Sequence, residues 1–160
     1  MIKIMFVCHG NICRSPMAEA IMRDMLSKRH LDGKIAVSSS ATSDEEIFMG
    51  VGNPMYPPAV TELAKHGIWA GDKRAVKLKK SDYDEYDFFL GMDSANIRNM
   101  NRILGDDTEN KIHKLLEFSE LDKKDIDDPW YSGDFRTAFD DIEYGCRCFL
   151  DYLLENDMIR

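Results

Sequence analysis

The chain has 160 residues, of which 44% are hydrophobic, and its formal net charge is −8 at pH 7. A chain of this length and composition can bury a sizeable core, and we expect residues 1–160 to form a single domain. The negative charge argues against a basic face for nucleic acid, so no nucleic acid is expected as a partner.

Strand and helix patterns alternate along the chain. Residues 2–7 are mostly apolar and rich in β-formers, as a buried strand is. Ser15 is a good N-cap and Pro16 suits the first position of a helix, so a helix is predicted to begin there. The later patterns predict strands over 34–39, 86–92 and 111–116, helices over 58–66 and 94–104, and a long final helix from Phe135. This alternation predicts an α/β fold with helices on both faces of a parallel sheet.

Residues 8–16 join the first strand to the first helix and read Cys-His-Gly-Asn-Ile-Cys-Arg-Ser-Pro. A strand, a tight loop and a helix N-terminus form an anion site, because backbone amides and the helix dipole point at the ligand. The amides and Arg14 favour the thiolate of Cys8, which is the nucleophilic form of cysteine. Arg14 also presents a planar fork that pairs with two phosphate oxygens. The loop therefore predicts phosphoryl transfer through a phosphocysteine.

Other residues of this loop have predicted supporting roles. Gly10 allows the backbone to approach the ligand closely, and Asn11 can adopt the left-handed conformation that a tight curl requires. The Ser15 hydroxyl is expected near the thiolate, which it stabilises as a leaving group. His9 either tunes the thiolate or is an exposed loop residue. The alternative to the whole interpretation is a structural cysteine at the end of a strand.

A second segment, residues 125–133, contains a candidate proton donor. Pro129 biases Asp128 toward an extended conformation, which fixes the direction of its carboxyl group. A carboxyl group held in this way can protonate a leaving oxygen and later deprotonate the attacking water. Trp130 and Tyr131 follow directly and are predicted to form an aromatic wall at the substrate rim. The alternative for this segment is an acidic surface turn that leads into a helix.

These two segments resemble those of the low-molecular-weight protein tyrosine phosphatases, and the resemblance covers essentially the whole chain. It implies a three-layer, flavodoxin-like fold with four parallel strands. It also implies hydrolysis of phosphotyrosine, with Cys8 as nucleophile, Arg14 as phosphate clamp and Asp128 as general acid and base. The phosphate-binding loop implied by the resemblance consists of Cys8, His9, Gly10, Asn11, Ile12, Cys13, Arg14 and Ser15.

The resemblance extends to supporting positions. Ser39 matches a serine that supports Asn11 by hydrogen bonding, and Asp93 matches an acidic position near the loop, although it can equally be a helix N-cap. Lys73 stands where the family often has a histidine. The segment over 44–54 is longer than usual and is expected to border the substrate cleft.

The cysteines bear on redox chemistry and metal binding. The resemblance implies that Cys13 can form a reversible disulfide with Cys8, which protects the nucleophile from overoxidation; packing beneath the loop is the alternative. Cys146 and Cys148 point to different faces of a predicted helix, so no metal and no cofactor are expected. Because the nucleophile must stay reduced, and no signal peptide or membrane-length apolar run is present, we expect a cytoplasmic protein without membrane contact.

Three alternative functions remain at this point. An arsenate reductase of this fold needs two further cysteines near the middle of the chain, and residues 82–93 contain none. Phosphoarginine phosphatases resemble this chain but have threonine in place of Ile12, and a bulky Ile12 favours a planar phenyl phosphate. A phosphoprotein-binding module would lack Cys8 or Asp128. The expected partner is therefore a phosphotyrosine-bearing protein or a small aryl phosphate. We expect the enzyme to hydrolyse it without a metal ion and to act as a monomer.

Overall fold

The computed structural model describes residues 1–159. Its strands are β1 (Ile2–Cys8), β2 (Ile35–Ala41), β3 (Ile47–Phe48), β4 (Val51–Gly52), β5 (Phe88–Gly91) and β6 (Ile112–Lys114). Its α-helices are α1 (Arg14–Lys28), α2 (Pro57–Lys65), α3 (Asp82–Glu85), α4 (Ser94–Leu104), α5 (Pro129–Ser132) and α6 (Phe135–Glu155), and a 3₁₀ turn spans Leu115–Phe118.

The central sheet contains four parallel strands in the order β2-β1-β5-β6. Side chains of β1 alternate between the two faces of the sheet, as the period of a strand requires. Ile4 and Phe6 pack on the face covered by α1 and α6, together with Cys8, whereas Met5 and Val7 pack on the face covered by α4. The predicted flavodoxin-like α/β fold with four parallel strands is confirmed.

The predicted start of the first helix is wrong. Helix α1 begins at Arg14, and its N-cap is Cys13, which makes no side-chain capping hydrogen bond. Ser15 is therefore inside the helix, where its hydroxyl contacts Asn11 and Cys8 instead of capping the backbone. Pro16 is tolerated because the first turn of a helix has no internal acceptor for its amide.

The predicted last strand is also too long. Strand β6 ends at Lys114, and the next residues form the 3₁₀ turn, because Leu115 and Leu116 bury their side chains in the core with α6. Strand β2 is longer than predicted and reaches Ala41, pairing along the full length of β1.

The sequence patterns do not predict the short antiparallel hairpin of β3 and β4. Its two-residue turn consists of Met49, with a φ of 51°, and Gly50, with a φ of 79°. Two consecutive residues with positive φ are typical of the type I′ turn that joins tightly paired strands. The hairpin lies within the segment over 44–54 that was expected to border the cleft, and its strands are too short for period-two alternation to be recognised.

Candidate active site

The loop after β1 curls around the sulfur of Cys8. The backbone N–H of Asn11 lies 3.3 Å from Sγ and the N–H of Ser15 lies 3.4 Å from it. The Ser15 hydroxyl lies 3.0 Å from the same sulfur. Cys8 is buried, with 3% of its surface exposed. The carboxyl end of a central strand and the N-terminus of α1 therefore surround the sulfur with hydrogen-bond donors, which is the arrangement that stabilises an anion.

Asn11 sets the direction of the hydrogen bonds beneath the loop. Its backbone is left-handed, with a φ of 58°, as predicted. Its Nδ2 donates to the hydroxyls of Ser15 at 2.7 Å and Ser39 at 3.0 Å, while its Oδ1 accepts from the N–H of Val76 at 3.1 Å. A hydroxyl has only one hydrogen. Because the Ser15 oxygen already accepts from Asn11, its own hydrogen is available to the sulfur of Cys8.

The network continues to a buried carboxylate. The Ser39 hydroxyl donates to Oε1 of Glu19 at 2.6 Å, and Arg23 pairs with Oε2 of Glu19 at 2.6 Å. Lys73 donates from Nζ to the carbonyl oxygen of Ser39 at 2.9 Å and lies 3.9 Å from Oε1 of Glu19. Burial lowers the pKa of Lys73, an effect that the charge of Glu19 opposes. Lys73 therefore joins the hydrogen-bond network beneath the loop.

Sequence reasoning did not identify Glu19 as part of the site. It is 7% exposed and lies between two buried alanines on α1. The available signal was a charged side chain within an otherwise buried helical stretch, and charged residues are rarely buried unless they are paired.

Arg14, the first residue of α1, is 2% exposed. Its Nη1 donates to Oδ2 of Asp93 and to the carbonyl oxygen of Ile126, both at 2.8 Å. Its Nη2 lies 3.4 Å from Oδ2 of Asp128. Burial by itself lowers the pKa of Arg14, but the negative charges that Cys8 and Asp128 carry when ionised outweigh it, together with Asp93, and raise the pKa above its ordinary value. The guanidinium is therefore charged and held in one orientation.

Cys13 differs sharply from Cys8, although both belong to the same loop. Burial, together with the negative charges of Cys8 and Asp128, raises the pKa of Cys13 to about 12. Cys13 belongs to a small buried apolar cluster with Ile12 and Ala75. Cys13 is therefore protonated at neutral pH.

Asp128 lies beside the loop, at the N-terminus of α5. Its Oδ1 accepts a hydrogen bond from the N–H of Trp130 at 3.0 Å, so it also caps this short helix. The ring of Trp130 packs on the ring of Tyr56, with 4.7 Å between the centroids. Tyr56 was not identified from the sequence, and its N–H donates to the carbonyl oxygen of Ile12 at 2.9 Å. Tyr131 is 84% exposed at the rim.

These residues line one cleft. Its lining consists of Cys8, His9, Gly10, Ile12, Cys13, Arg14, Glu45, Glu46, Asp128, Trp130 and Tyr131. The structure therefore brings together the two segments that the sequence analysis singled out, residues 8–15 and 128–131. Asn11, Ser15 and Ser39 are buried and lie in the hydrogen-bond network of the loop. His9 is exposed, and its Nε2 lies 3.0 Å from Oε2 of Glu45.

The chain matches a known protein family along almost its full length. Residues 3–158 match the family model described as low molecular weight phosphotyrosine protein phosphatase. The chain belongs to this family. It is 37% identical over 151 residues to the low molecular weight protein-tyrosine-phosphatase YfkJ of Bacillus subtilis, covering 94% of each chain. It is 34% identical to the phosphatase PtpA of Staphylococcus haemolyticus, covering 98% of this chain and 96% of that protein.

Solved structures of this phosphatase family have the same fold. The crystal structure of YfkJ from Bacillus subtilis superposes with a TM-score of 0.89 at 35% identity, covering 98% of this chain and 96% of that chain. A protein tyrosine phosphatase from Entamoeba histolytica, with Hepes in the active site, superposes with a TM-score of 0.86 at 26% identity, covering 98% and 99%. This chain is therefore a phosphatase, and the cleft is its candidate active site.

Within residues 1–159, no helix has the length and apolar character needed to cross a membrane. The same residues contain no group of three His, Cys, Asp or Glu side chains arranged to hold a metal ion. Cys146 is fully buried in the core, where it was expected to pack.

Proposed function

We propose that this phosphatase hydrolyses phosphotyrosine through a phosphocysteine on Cys8. The main support for this proposal is the position of the Cys8 sulfur. It lies at the centre of the loop, within 3.4 Å of two backbone N–H groups and the Ser15 hydroxyl. The same cleft contains a charged arginine, Arg14, and a carboxyl group, Asp128. These are the nucleophile, the anion clamp and the proton donor that the reaction needs.

In the first step, the thiolate of Cys8 attacks phosphorus opposite the phenolic oxygen. The sulfur–phosphorus bond forms as the phosphorus–oxygen bond breaks, and Asp128 gives its proton to the departing phenolate. The loop amides and Arg14 stabilise the negative charge on the three equatorial oxygens. Because Asp93 and Ile126 already hold Nη1 of Arg14, the guanidinium is preorganised before the substrate arrives.

In the second step, water attacks the phosphocysteine and releases inorganic phosphate. Asp128, now a carboxylate, takes a proton from this water and so returns to its starting state. The phosphorus–sulfur bond breaks as the new phosphorus–oxygen bond forms, and the sulfur of Cys8 leaves as a thiolate that accepts a hydrogen bond from the Ser15 hydroxyl. The Asn11 contact supports this role, because it leaves the Ser15 hydroxyl free to donate toward the sulfur.

The walls of the cleft favour a flat aromatic substrate. Ile12 and Trp130 are large apolar side chains of the lining, and the ring of Trp130 packs on the ring of Tyr56. A phenyl ring buries more apolar surface between such walls than a guanidinium does. We therefore propose a phosphotyrosine-bearing protein or a small aryl phosphate as the substrate, rather than phosphoarginine.

The reaction scheme uses only side chains and water. We therefore propose a metal-independent enzyme. We also propose that residues 1–160 act as a single domain and as a monomer. The need for a reduced nucleophile supports a cytoplasmic location.

A substrate panel tests the proposal. Phosphotyrosine peptide, phosphoarginine peptide and arsenate are each supplied to the purified enzyme with a chelator present, and the Cys8→Ser variant is the blank. We expect turnover of phosphotyrosine alone and no activity in the blank. Turnover only after metal addition, or full activity of Cys8→Ser, would contradict the scheme.

A further inference from the structure

The rim of the cleft carries acidic side chains. Glu45 is exposed and its carboxylate contacts the imidazole of His9, while Glu46 is held in place by Asn53, whose Nδ2 donates to Oε2 at 2.7 Å. Both glutamates line the cleft, as does Asp128. The cationic groups of the lining are Arg14 at the phosphate loop and, when protonated, His9. The base of the cleft therefore attracts a phosphate, whereas its rim repels a carboxylate and attracts a cation.

An exposed apolar surface lies on the β3–β4 hairpin, which directly follows Glu46 in the chain. At the tip of the β3–β4 hairpin, Phe48 is 77% exposed, Met49 is 88% exposed and Val51 is 61% exposed. Phe48 and Val51 are directly opposite each other in the hairpin, so their side chains lie on the same face. Ile47 packs against the apolar cluster that contains Ile12, a residue of the cleft lining. The hairpin is therefore joined to the cleft on one side, while Phe48 and Val51 are exposed to solvent.

The base of the hairpin is fixed to the body of the protein. The carbonyl oxygen of Asn53 accepts from the N–H of Ala75 at 2.9 Å, and Arg74 donates from Nη1 to the carbonyl oxygen of Gly52 at 3.0 Å. Gly52 lies so close to the backbone of Ala75 that a Cβ atom there would be 1.9 Å from its carbonyl oxygen. The apolar tip is therefore presented in one position relative to the cleft, which reduces the entropy lost when a partner binds.

We infer that the acidic rim and the hairpin tip bind the polypeptide around the phosphotyrosine, and that they select a cationic residue beside it followed by an apolar residue. This inference rests on the proposed function. Glu45 and Glu46 receive the cation, and Phe48, Met49 and Val51 receive the apolar side chain. The occupant is the substrate polypeptide because Glu45 and Glu46, which line the cleft, directly precede the hairpin that presents the apolar side chains. A second copy of this chain, with a net charge of −8, complements an acidic rim poorly.

Matched peptides test the inference. Three phosphotyrosine peptides are compared: one flanked on both sides by lysine then leucine, one by glutamate then leucine, and one by lysine then serine. We expect kcat/KM for the first to exceed that for each of the others about fivefold at low salt, since exposed charge pairs and partial apolar contacts are individually modest. The lysine–glutamate difference shrinks at high salt, whereas the leucine–serine difference does not.

Variants separate the two parts of the surface. In E45Q/E46Q, the ratio of kcat/KM for the lysine peptide to that for the glutamate peptide falls toward one, and the preference for leucine over serine is retained. In F48S/V51S, the preference for leucine over serine is lost and the preference for lysine over glutamate is retained. Each ratio is taken within one enzyme, so any effect on the chemistry common to both peptides cancels. E85Q/E155Q is the matched control, because it also removes two negative charges, at exposed glutamates outside the cleft lining, and it keeps both preferences.

Failure of this inference can be distinguished from failure of the proposed function. If the wild-type enzyme hydrolyses p-nitrophenyl phosphate but treats the three peptides alike, the inference is wrong and the proposed function stands. If p-nitrophenyl phosphate is not hydrolysed at all, the proposed function is wrong. A dimer in sedimentation experiments that F48S/V51S dissociates would assign the hairpin tip to a second copy, and would also overturn the inference.

Discussion

The carboxylate of Asp93 bonds to Arg14 and caps α4 at the same time. Its Oδ2 accepts from Nη1 of Arg14 at 2.8 Å, and its Oδ1 accepts from the N–H of Asn96 at 2.8 Å. The two interpretations of Asp93 drawn from the sequence, an acidic residue near the loop and a helix cap, are therefore both correct. One side chain couples the position of α4 to the orientation of the arginine in the cleft.

Asp93→Asn is expected to weaken both contacts, because an amide has one acceptor oxygen where the carboxylate has two. A hydrogen bond between charged groups contributes about 1.5–3 kcal/mol, so kcat/KM for an aryl phosphate should fall at least tenfold. Steady-state kinetics and urea unfolding measure the two effects. The matched control is Asp134→Asn, since Asp134 caps α6 through Thr137 and has no contact with Arg14. An equal loss of activity in both variants would contradict the role of Asp93 in holding Arg14.

Asp128→Ala is expected to slow hydrolysis while leaving the phosphocysteine detectable. Loss of a general acid costs about 10²- to 10⁴-fold, most of all with phenyl phosphate, whose leaving group needs the proton. Rapid-quench trapping detects the phosphocysteine. The rates with phenyl and p-nitrophenyl phosphate show how strongly the loss depends on the leaving group. Its neighbour Asp127 is exposed, and Asp127→Ala should retain wild-type rates. If Asp127→Ala is the slow variant, the acid has been assigned to the wrong residue.

The thiols should react selectively with iodoacetamide at pH 7–8. Cys13 has a pKa raised to about 12 by burial and by the charges of Cys8 and Asp128, so it is protonated across this range and does not react. Burial also raises the pKa of Cys146. Peptide mapping by mass spectrometry should find label on Cys8, and inorganic phosphate should protect it. Faster labelling of Cys13 than of Cys8 would refute the assignment of the nucleophile.

Lys73→Met is expected to reduce both stability and turnover. The methionine fills similar space but removes the donor to Ser39 and a positive charge near buried Glu19. An unsatisfied buried acceptor costs about 1–3 kcal/mol, which urea unfolding can measure. Because Ser39 supports Asn11, kcat should fall a few-fold. Lys77→Met changes an exposed neighbour and should alter neither quantity. Unchanged stability in Lys73→Met would show that this lysine is not part of the network.

Gly52→Ala is expected to displace the hairpin from the body of the protein. A Cβ atom at this position would be 1.9 Å from the carbonyl oxygen of Ala75, so the backbone must move. Overpacking of this kind costs about 1–3 kcal/mol, which thermal unfolding can measure. Gly33→Ala is the control, because nothing lies within 4 Å of a Cβ atom there. Equal melting temperatures for the two variants would show that the hairpin base is not tightly held.

The sequence was most informative where the residues of the site are close neighbours in the chain. The β1–loop–α1 arrangement and the left-handed Asn11 follow from local conformational preferences, and both are present. The prediction of Ser15 as the N-cap is wrong, because local preference does not decide which partner a serine hydroxyl takes. A serine at a helix start can cap the backbone or serve another group, and here the tertiary contacts with Asn11 and Cys8 take its hydroxyl.

By itself, the sequence predicted the α/β alternation of strands and helices, the tight loop between the first strand and the first helix, and a candidate acid at Asp128. Only the tertiary structure decided which distant groups meet: Arg14 contacts Asp93 and Ile126, 79 and 112 positions away, and Tyr56 supports Trp130. The physical reason is that local patterns reflect backbone preferences and burial within a few residues. Contacts between distant side chains depend on the order in which strands pack, and that order appears only when the whole chain is folded.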